Sequence, residues 1–267
     1  MKHWIRLVML LAVWAGSTTA AWATHVFGGQ LTYKHLGGQQ YRVTLTEYLD
    51  PASMATVMQT SVTLSCTRNG CSPTNTGNFT TEMMKTGERY FPSMSCTGVQ
   101  NVYLARTFTV DVQLPPASWA LSIDDSNRSV VMSNLYRPDQ KTMHLETRLD
   151  NTTGLVDQSP QLSIFQLPFA AVGQTAFYNF GAYDADGDSL VYSLAHPSGH
   201  SSPLPACADS IAFTGYAAGQ VTDSGNGQAV AFPAGMLSVG LPMPAFRAEN
   251  GVVEPALQLN RQLANWW

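Results

Sequence analysis

Apolar and polar residues alternate with a period of two through much of the sequence. In "QLTYKHLGGQQYRVTLTEYL" (residues 30–49), Tyr41, Val43 and Leu45 fall on one face, and Arg42, Thr44 and Thr46 on the other. The pattern predicts strand, Gly-Gly turn, strand. "RTFTVDVQLPP" (106–116) alternates more cleanly, with Phe108, Val110, Val112 and Leu114 inward and Thr107, Thr109, Asp111 and Gln113 outward. "SVTLSC", "SWALSID" and "KTMHLETRL" repeat the pattern. No window beyond the first residues shows helical spacing with a cap and a glycine stop. Many short strands separated by turn residues predict packed antiparallel sheets.

The polar segment "LDNTTGLVDQSPQL" (149–162) holds Gly and Pro and predicts a boundary. One β-sandwich is expected over 24–152 and a second over 158–267. Within the second, "QTAFYNFGAYDADGDSLVYSLAHP" (174–197) reads as strand, acidic turn, strand. Beyond residue 219 the alternation weakens. The end, "EPALQLNRQLANWW", carries no convincing apolar stripe, although a short terminal helix fits it.

Composition adds location. Lys2 and Arg6 precede an apolar run over 7–15, and Ala21-Trp22-Ala23 follows the small-x-small rule of signal peptidase. Residues 1–23 are therefore expected to be a cleaved signal peptide. The run falls short of the roughly 20 apolar residues that span a membrane. No later stretch reaches that length either. Charged residues are 12% of the chain and the net charge is −4, with no basic stripe to suit nucleic acid. Cys66, Cys71, Cys96 and Cys207 are disulfide candidates in an exported chain, and three pairings are open.

The densest candidate chemistry is "DADGDSL". Asp184, Asp186 and Asp188 alternate with Ala185 and Gly187, and such carboxylates suit Ca²⁺ if further oxygens join them, from near Asp157 or a loop of the first domain. The competing reading is turn chemistry, since Asp and Gly both favour bends. The spacing is not that of an EF-hand. His25, His35, His144, His196 and His200 are scattered, and neither they nor the cysteines have zinc-motif spacing. His200 stands beside Ser201, but no nucleophile elbow surrounds them. No catalytic residue and no cofactor other than Ca²⁺ is expected. Tyr33, Tyr41, Tyr48, Phe177, Tyr178, Phe180 and Tyr183 fit either a sandwich core or a sugar-stacking row.

Three stretches carry a resemblance. "ATHVFGGQLTYKHLGGQQYRVTLTEYLD" (23–50), "LPPASWALSIDDSNRSVVMSNL" (114–135) and "SPQLSIFQLPFAAVGQTAFYNFGAYDADGDSLVYSLAHP" (159–197) resemble segments of large secreted Bacteroidota proteins of the gliding-motility-associated type. Those proteins carry cadherin-like or PKD-like modules. The resemblance covers about residues 23–219 and then stops, which suggests a truncated or frame-shifted gene. The chain also lacks family cysteines after "EYLDP" and around "DDSNRS". The resemblance implies an all-β chain of tandem immunoglobulin-like β-sandwiches, the second whole or cut short. It implies an exported, non-enzymatic surface or extracellular scaffold or adhesin with a protein or glycan partner, periplasmic if a sorting signal has been lost. A carbohydrate-binding surface protein is the alternative, and a secreted hydrolase comes third. Asn78 and Asn151 match the N-glycosylation pattern, by chance in a bacterial chain.

Overall fold

The computed structural model describes residues 26–49, 51, 58–70, 76–93, 101–128, 134–162, 181–193, 195–200, 208–223, 225–238, 246–250 and 252–255. Seven strands build the first unit: β1 (Val26–Gly37), β2 (Gln40–Leu49), β3 (Ser61–Arg68), β4 (Phe79–Ser93), β5 (Asn101–Gln113), β6 (Ser118–Asn127) and β7 (Thr142–Asp150). They form one antiparallel sheet in the order β1-β2-β5-β4-β3-β6-β7. Lettered A to G in chain order, this is A-B-E-D followed by C-F-G. That is the arrangement of a seven-stranded immunoglobulin constant-type sandwich, with the β4–β3 pairing joining its halves. The sheet curls until β1 and β7 meet. At that meeting a Cβ on Gly29 would lie 3.0 Å from Leu145 Cδ1 and 2.7 Å from the Thr46 carbonyl oxygen, so glycine is what lets the strands close.

The alternation sets the core. Tyr41, Val43, Leu45, Phe108, Val112, Leu114, Trp119, Leu121 and Ile123 are buried, as their phase requires. Two charges interrupt it. Glu47 and Arg106 take inward positions of β2 and β5 and are 0% exposed, with Arg106 Nη2 2.8 Å from Glu47 Oε2 and 2.9 Å from Gln59 Oε1. A buried pair of this kind tolerates burial only while it stays paired. Cys66, expected in a disulfide, is instead a free thiol inside this core, and burial pushes its pKa up to about 12. Its strand phase points it inward beside Leu64, away from any surface loop. Cys71, Cys96 and Cys207 lie outside the described residues.

The rest is built differently. After β7, residues 151–160 form no strand. Among the described residues ten short strands follow: β8 (Gln161–Leu162), β9 (Ala182–Tyr183), β10 (Ser198–Gly199), β11 (Asp209–Ser210), β12 (Gly215–Tyr216), β13 (Gly219–Thr222), β14 (Ala229–Phe232), β15 (Gly235–Met236), β16 (Phe246–Glu249) and β17 (Val252–Pro255). They pair two by two, as β8-β9, β10-β11, β12-β15, β13-β14 and β16-β17. Among the described residues this region shows two-stranded ladders. The β13–β14 hairpin falls where the sequence showed only weak alternation. Asp223 secures it: its Oδ1 accepts the Gly225 N–H at 2.7 Å and the Asn250 N–H at 3.1 Å, linking the hairpin to the β16–β17 turn. Of the strand expected before the acidic turn, residues 174–180 lie outside the described residues and Ala182–Tyr183 form β9; residues 189–193 after the turn are not a strand. No described helix is long and apolar enough to cross a membrane.

The second region docks on the first through the β6–β7 connection. Leu135 packs with Ile211, Phe213 and Leu237 in a small cluster apart from the sandwich core. The Tyr136 N–H donates to the Ala212 carbonyl at 2.9 Å, and the Thr214 N–H to the Asn134 carbonyl at 3.0 Å.

Candidate functional site

The register of β6 and β7 places Asp124 directly opposite His144. Both occupy polar-phase positions on the outer face of the sandwich. That face would be solvated but for β10, whose chain crosses the start of β7. There the Thr142 N–H donates to the His200 carbonyl at 3.1 Å, and the His200 N–H donates to Thr142 Oγ1 at 2.8 Å. Gly199 makes the close approach possible, since a Cβ there would sit 2.4 Å from the Thr142 carbonyl oxygen. Buried Arg128 holds the same segment by donating to the Ser198 carbonyl at 3.0 Å.

His200 is thus delivered onto the Asp124–His144 pair. Asp124 Oδ1 lies 2.7 Å from His200 Nδ1, 3.0 Å from His144 Nδ1 and 3.1 Å from the donating Thr142 Oγ1. Behind His144, its Nε2 is 3.6 Å from Glu146 Oε2, and Glu146 also accepts from Arg148 at 2.6 Å. Burial alone would lower the His144 pKa, but hydrogen bonds to Asp124 and Glu146 and their charges outweigh it and raise it to about 9. Burial works in the opposite direction on Asp124, yet the two histidines hold its carboxyl below the usual range. Glu146 falls to about 2, first through its bond to His144, with Arg148 adding to the effect against burial. Among the described residues, Asp124, His144 and His200 are the three His, Cys, Asp or Glu side chains whose donor atoms gather within 4.8 Å of one another. Two imidazoles and a carboxylate suit zinc, copper, nickel or iron better than calcium.

Spacing gave no hint of this cluster, because its members come from three separate segments. The usable signal was the phase of Asp124 and His144 on adjacent strands, and register cannot be read from one sequence.

The acidic turn has another geometry. Asp184 accepts the N–H groups of Asp186 at 2.9 Å and Asp188 at 3.2 Å, and Gly187 has φ of +86°. Both oxygens of Asp186 are engaged by Gln158, through its backbone N–H at 2.6 Å and its side-chain amide at 3.0 Å. The turn therefore folds against the linker beside Asp157, which accepts the Tyr33 hydroxyl. Ser159 completes the clasp by exchanging hydrogen bonds with the Tyr33 backbone, covering the free edge of β1.

Of the aromatic candidates, Tyr33 and Tyr41 are core residues, Tyr48 is half-buried and Tyr183 is exposed. Phe177, Tyr178, Phe180, Ser201 and His25 lie outside the described residues. Asn151 is buried, and its side chain accepts from Ala117 N–H and donates to the Leu114 carbonyl, so it is not free to carry a glycan.

No family model, curated protein or solved structure matches the chain.

Proposed function

We propose that the chain is an exported, non-enzymatic surface or extracellular scaffold or adhesin module. One observation carries the reading. Large apolar side chains stand exposed on the two loops that the Gln158–Asp186 bonds hold together: Leu155 (73% exposed) and Val156 on the linker, and Tyr183, Val191 (93%) and Tyr192 beside the acidic turn. Exposed apolar surface concentrated on joined loops marks an interaction face, and loops at the end of a rigid sandwich are where binding residues are commonly placed. The resemblance to Bacteroidota surface proteins and the signal-like N-terminus agree with a partner outside the cytoplasm. Calcium at Asp184, Asp186 and Asp188 would stiffen this face.

The test is adhesion of chain-coated beads to bacterial and matrix surfaces, compared with a Val191→Asp/Tyr192→Ser variant. Wild-type beads should adhere and the variant should lose most of that adhesion; equal adhesion removes this face from the reading. Saturable binding on a glycan array would instead favour the carbohydrate-binding alternative. Thermal melts in EGTA and in excess Ca²⁺ test the ion. At 100 times its dissociation constant it should add about 2.7 kcal/mol in wild type and nothing in Asp186→Ala.

A further inference from the structure

We propose that Asp124, His144 and His200 bind one zinc-class divalent transition metal ion, which clips the C-terminal region onto the immunoglobulin-like sandwich. The inference does not depend on the adhesion reading, and it shares no residue with the acidic turn.

Three observations carry it. First, the donor set is chemically selective. Two imidazole nitrogens and a carboxylate oxygen gather within 4.8 Å, and zinc sites combine such ligands at about 2.0–2.2 Å from the ion. Tetrahedral donors around zinc stand about 3.4 Å apart on those bond lengths. The present separations from Asp124 Oδ1 are 3.0 Å to His144 Nδ1 and 2.7 Å to His200 Nδ1. Replacing the two N–H protons by an ion needs each ring to retreat from Asp124 Oδ1 by some tenths of an ångström. A fourth position is left for water.

Second, His144 already has the support a metal-binding imidazole needs. Its other nitrogen faces Glu146 at 3.6 Å. A carboxylate behind a ligating histidine fixes its tautomer and raises its basicity. Thr142 Oγ1 in turn orients the Asp124 carboxylate. Asp124 and Glu146 together supply negative charge for a dication in a largely buried place.

Third, hydrogen bonding leaves His200 incompletely satisfied. The residue is 4% exposed, and its Nε2 is buried with no hydrogen-bond partner. Burying a polar atom unpaired costs about 1–3 kcal/mol. Ligation through Nδ1 leaves Nε2 as it is, so what the burial shows is that the Thr142 and Gly199 seam, not the ring's own hydrogen bonding, holds His200 against the Asp124–His144 pair.

The consequence is mechanical. Asp124 and His144 belong to the sandwich, and His200 belongs to the segment that leads into the ladders. An ion bridging them stabilises the docked arrangement alone, as any ligand of one state does.

The test uses the chain produced without a histidine tag and stripped with chelator. Calorimetric titration with Zn²⁺ should show one ion per chain, with Ca²⁺ failing to compete. Co²⁺ should give a visible absorption band of tetrahedral type. His200→Asn and His144→Asn should each weaken Zn²⁺ by at least about a hundredfold, and Glu146→Gln by about ten- to a hundredfold. His196→Asn, on an exposed residue, should change nothing. If the ligand variants do not fold, the Glu146→Gln affinity and the wild-type Co²⁺ spectrum decide. Zinc should also slow proteolysis within residues 208–238. Absence of stoichiometric zinc, or binding indifferent to these substitutions, overturns the site. Binding without any change in proteolysis overturns the clip.

Discussion

The two halves of this molecule solve the problem of burying strands in opposite ways. Residues 26–150 pair seven long strands into one curled sheet, and every strand but β4 spends alternate residues on a shared core. The described residues of 161–255 pair strands two at a time, and the described apolar cluster there needs Leu135 from the first half to complete it. An isolated two-stranded ribbon is marginal in water. The second region is therefore expected to hold its shape through its attachments. Besides the Leu135 cluster and its hydrogen bonds to residues 212 and 214, two attachments are visible: the seam of Thr142, His200 and Gly199, and the clasp of Tyr33, Asp157, Ser159 and Asp186. The lesson is that one chain can carry a self-sufficient unit and a dependent one.

The strongest way to break this contrast is to damage the independent half. Phe108 is fully buried at the centre of the sandwich. Phe108→Ala should cost about 3–5 kcal/mol, read from urea unfolding followed by the fluorescence of buried Trp119. Because the second half depends on the first, its amide protection should fall in the same transition. A second region that stays protected after the sandwich has melted would refute the dependence.

The reverse experiment is smaller and should be one-sided. In Gly199→Ala the new methyl meets the Thr142 carbonyl oxygen at 2.4 Å, a backbone atom that cannot rotate away. Overpacking of this sort costs about 1–3 kcal/mol, charged here to docking. Hydrogen exchange at Thr142, His200 and Ile211 should quicken, with the Trp119 transition nearly unmoved. Equal loss in both halves would mean that the seam is part of the sandwich's own stability.

The same contrast decides what the sequence revealed. Strands β1, β2, β3, β5, β6 and β7 were legible because their residues alternate and one face is buried. Phe108, Val112 and Leu114 point inward as their phase requires. Strand β4 was missed, since "FTTEMMKTGERYFPS" mixes charges with apolar residues and carries a bulge between Lys85 and Gly87. Glu47 and Arg106 look like surface charges and are buried because each supplies the other's partner. The β13–β14 hairpin was obscured because each of its strands has only four residues, with half-buried and exposed positions but no buried face. The site was least legible of all. Asp124 and His144 meet through register, and His200 arrives by docking, so no local spacing encodes them. The acidic turn was conspicuous for the opposite reason: its residues are consecutive, and consecutive residues also make turns.

The smallest expected effect lies at the other attachment, and pH exposes it. The buried Tyr33 hydroxyl donates to Asp157. Burial raises its pKa, and the hydrogen bond to Asp157, with the charges of Asp157, Tyr41 and Asp184 nearby, raises it further. A free tyrosine ionises near about pH 10. A raised folded-state pKa means that Tyr33 contributes fully below that pH and loses its contribution as pH climbs toward the folded value, because the unfolded chain ionises first. Tyr33→Phe removes the hydroxyl and with it this pH dependence. At pH 8 the variant should be about 1 kcal/mol less stable, the net worth of one hydrogen bond. Above pH 10 the gap should narrow, since only the wild type still has this proton to lose. Urea unfolding of both chains at pH 8 and at pH 11 measures it, and the remaining tyrosines cancel in the difference. Parallel stability profiles would show that the clasp rests on Ser159 and Asp186 alone, and that the hydroxyl of Tyr33 does no more than fill space beneath the linker.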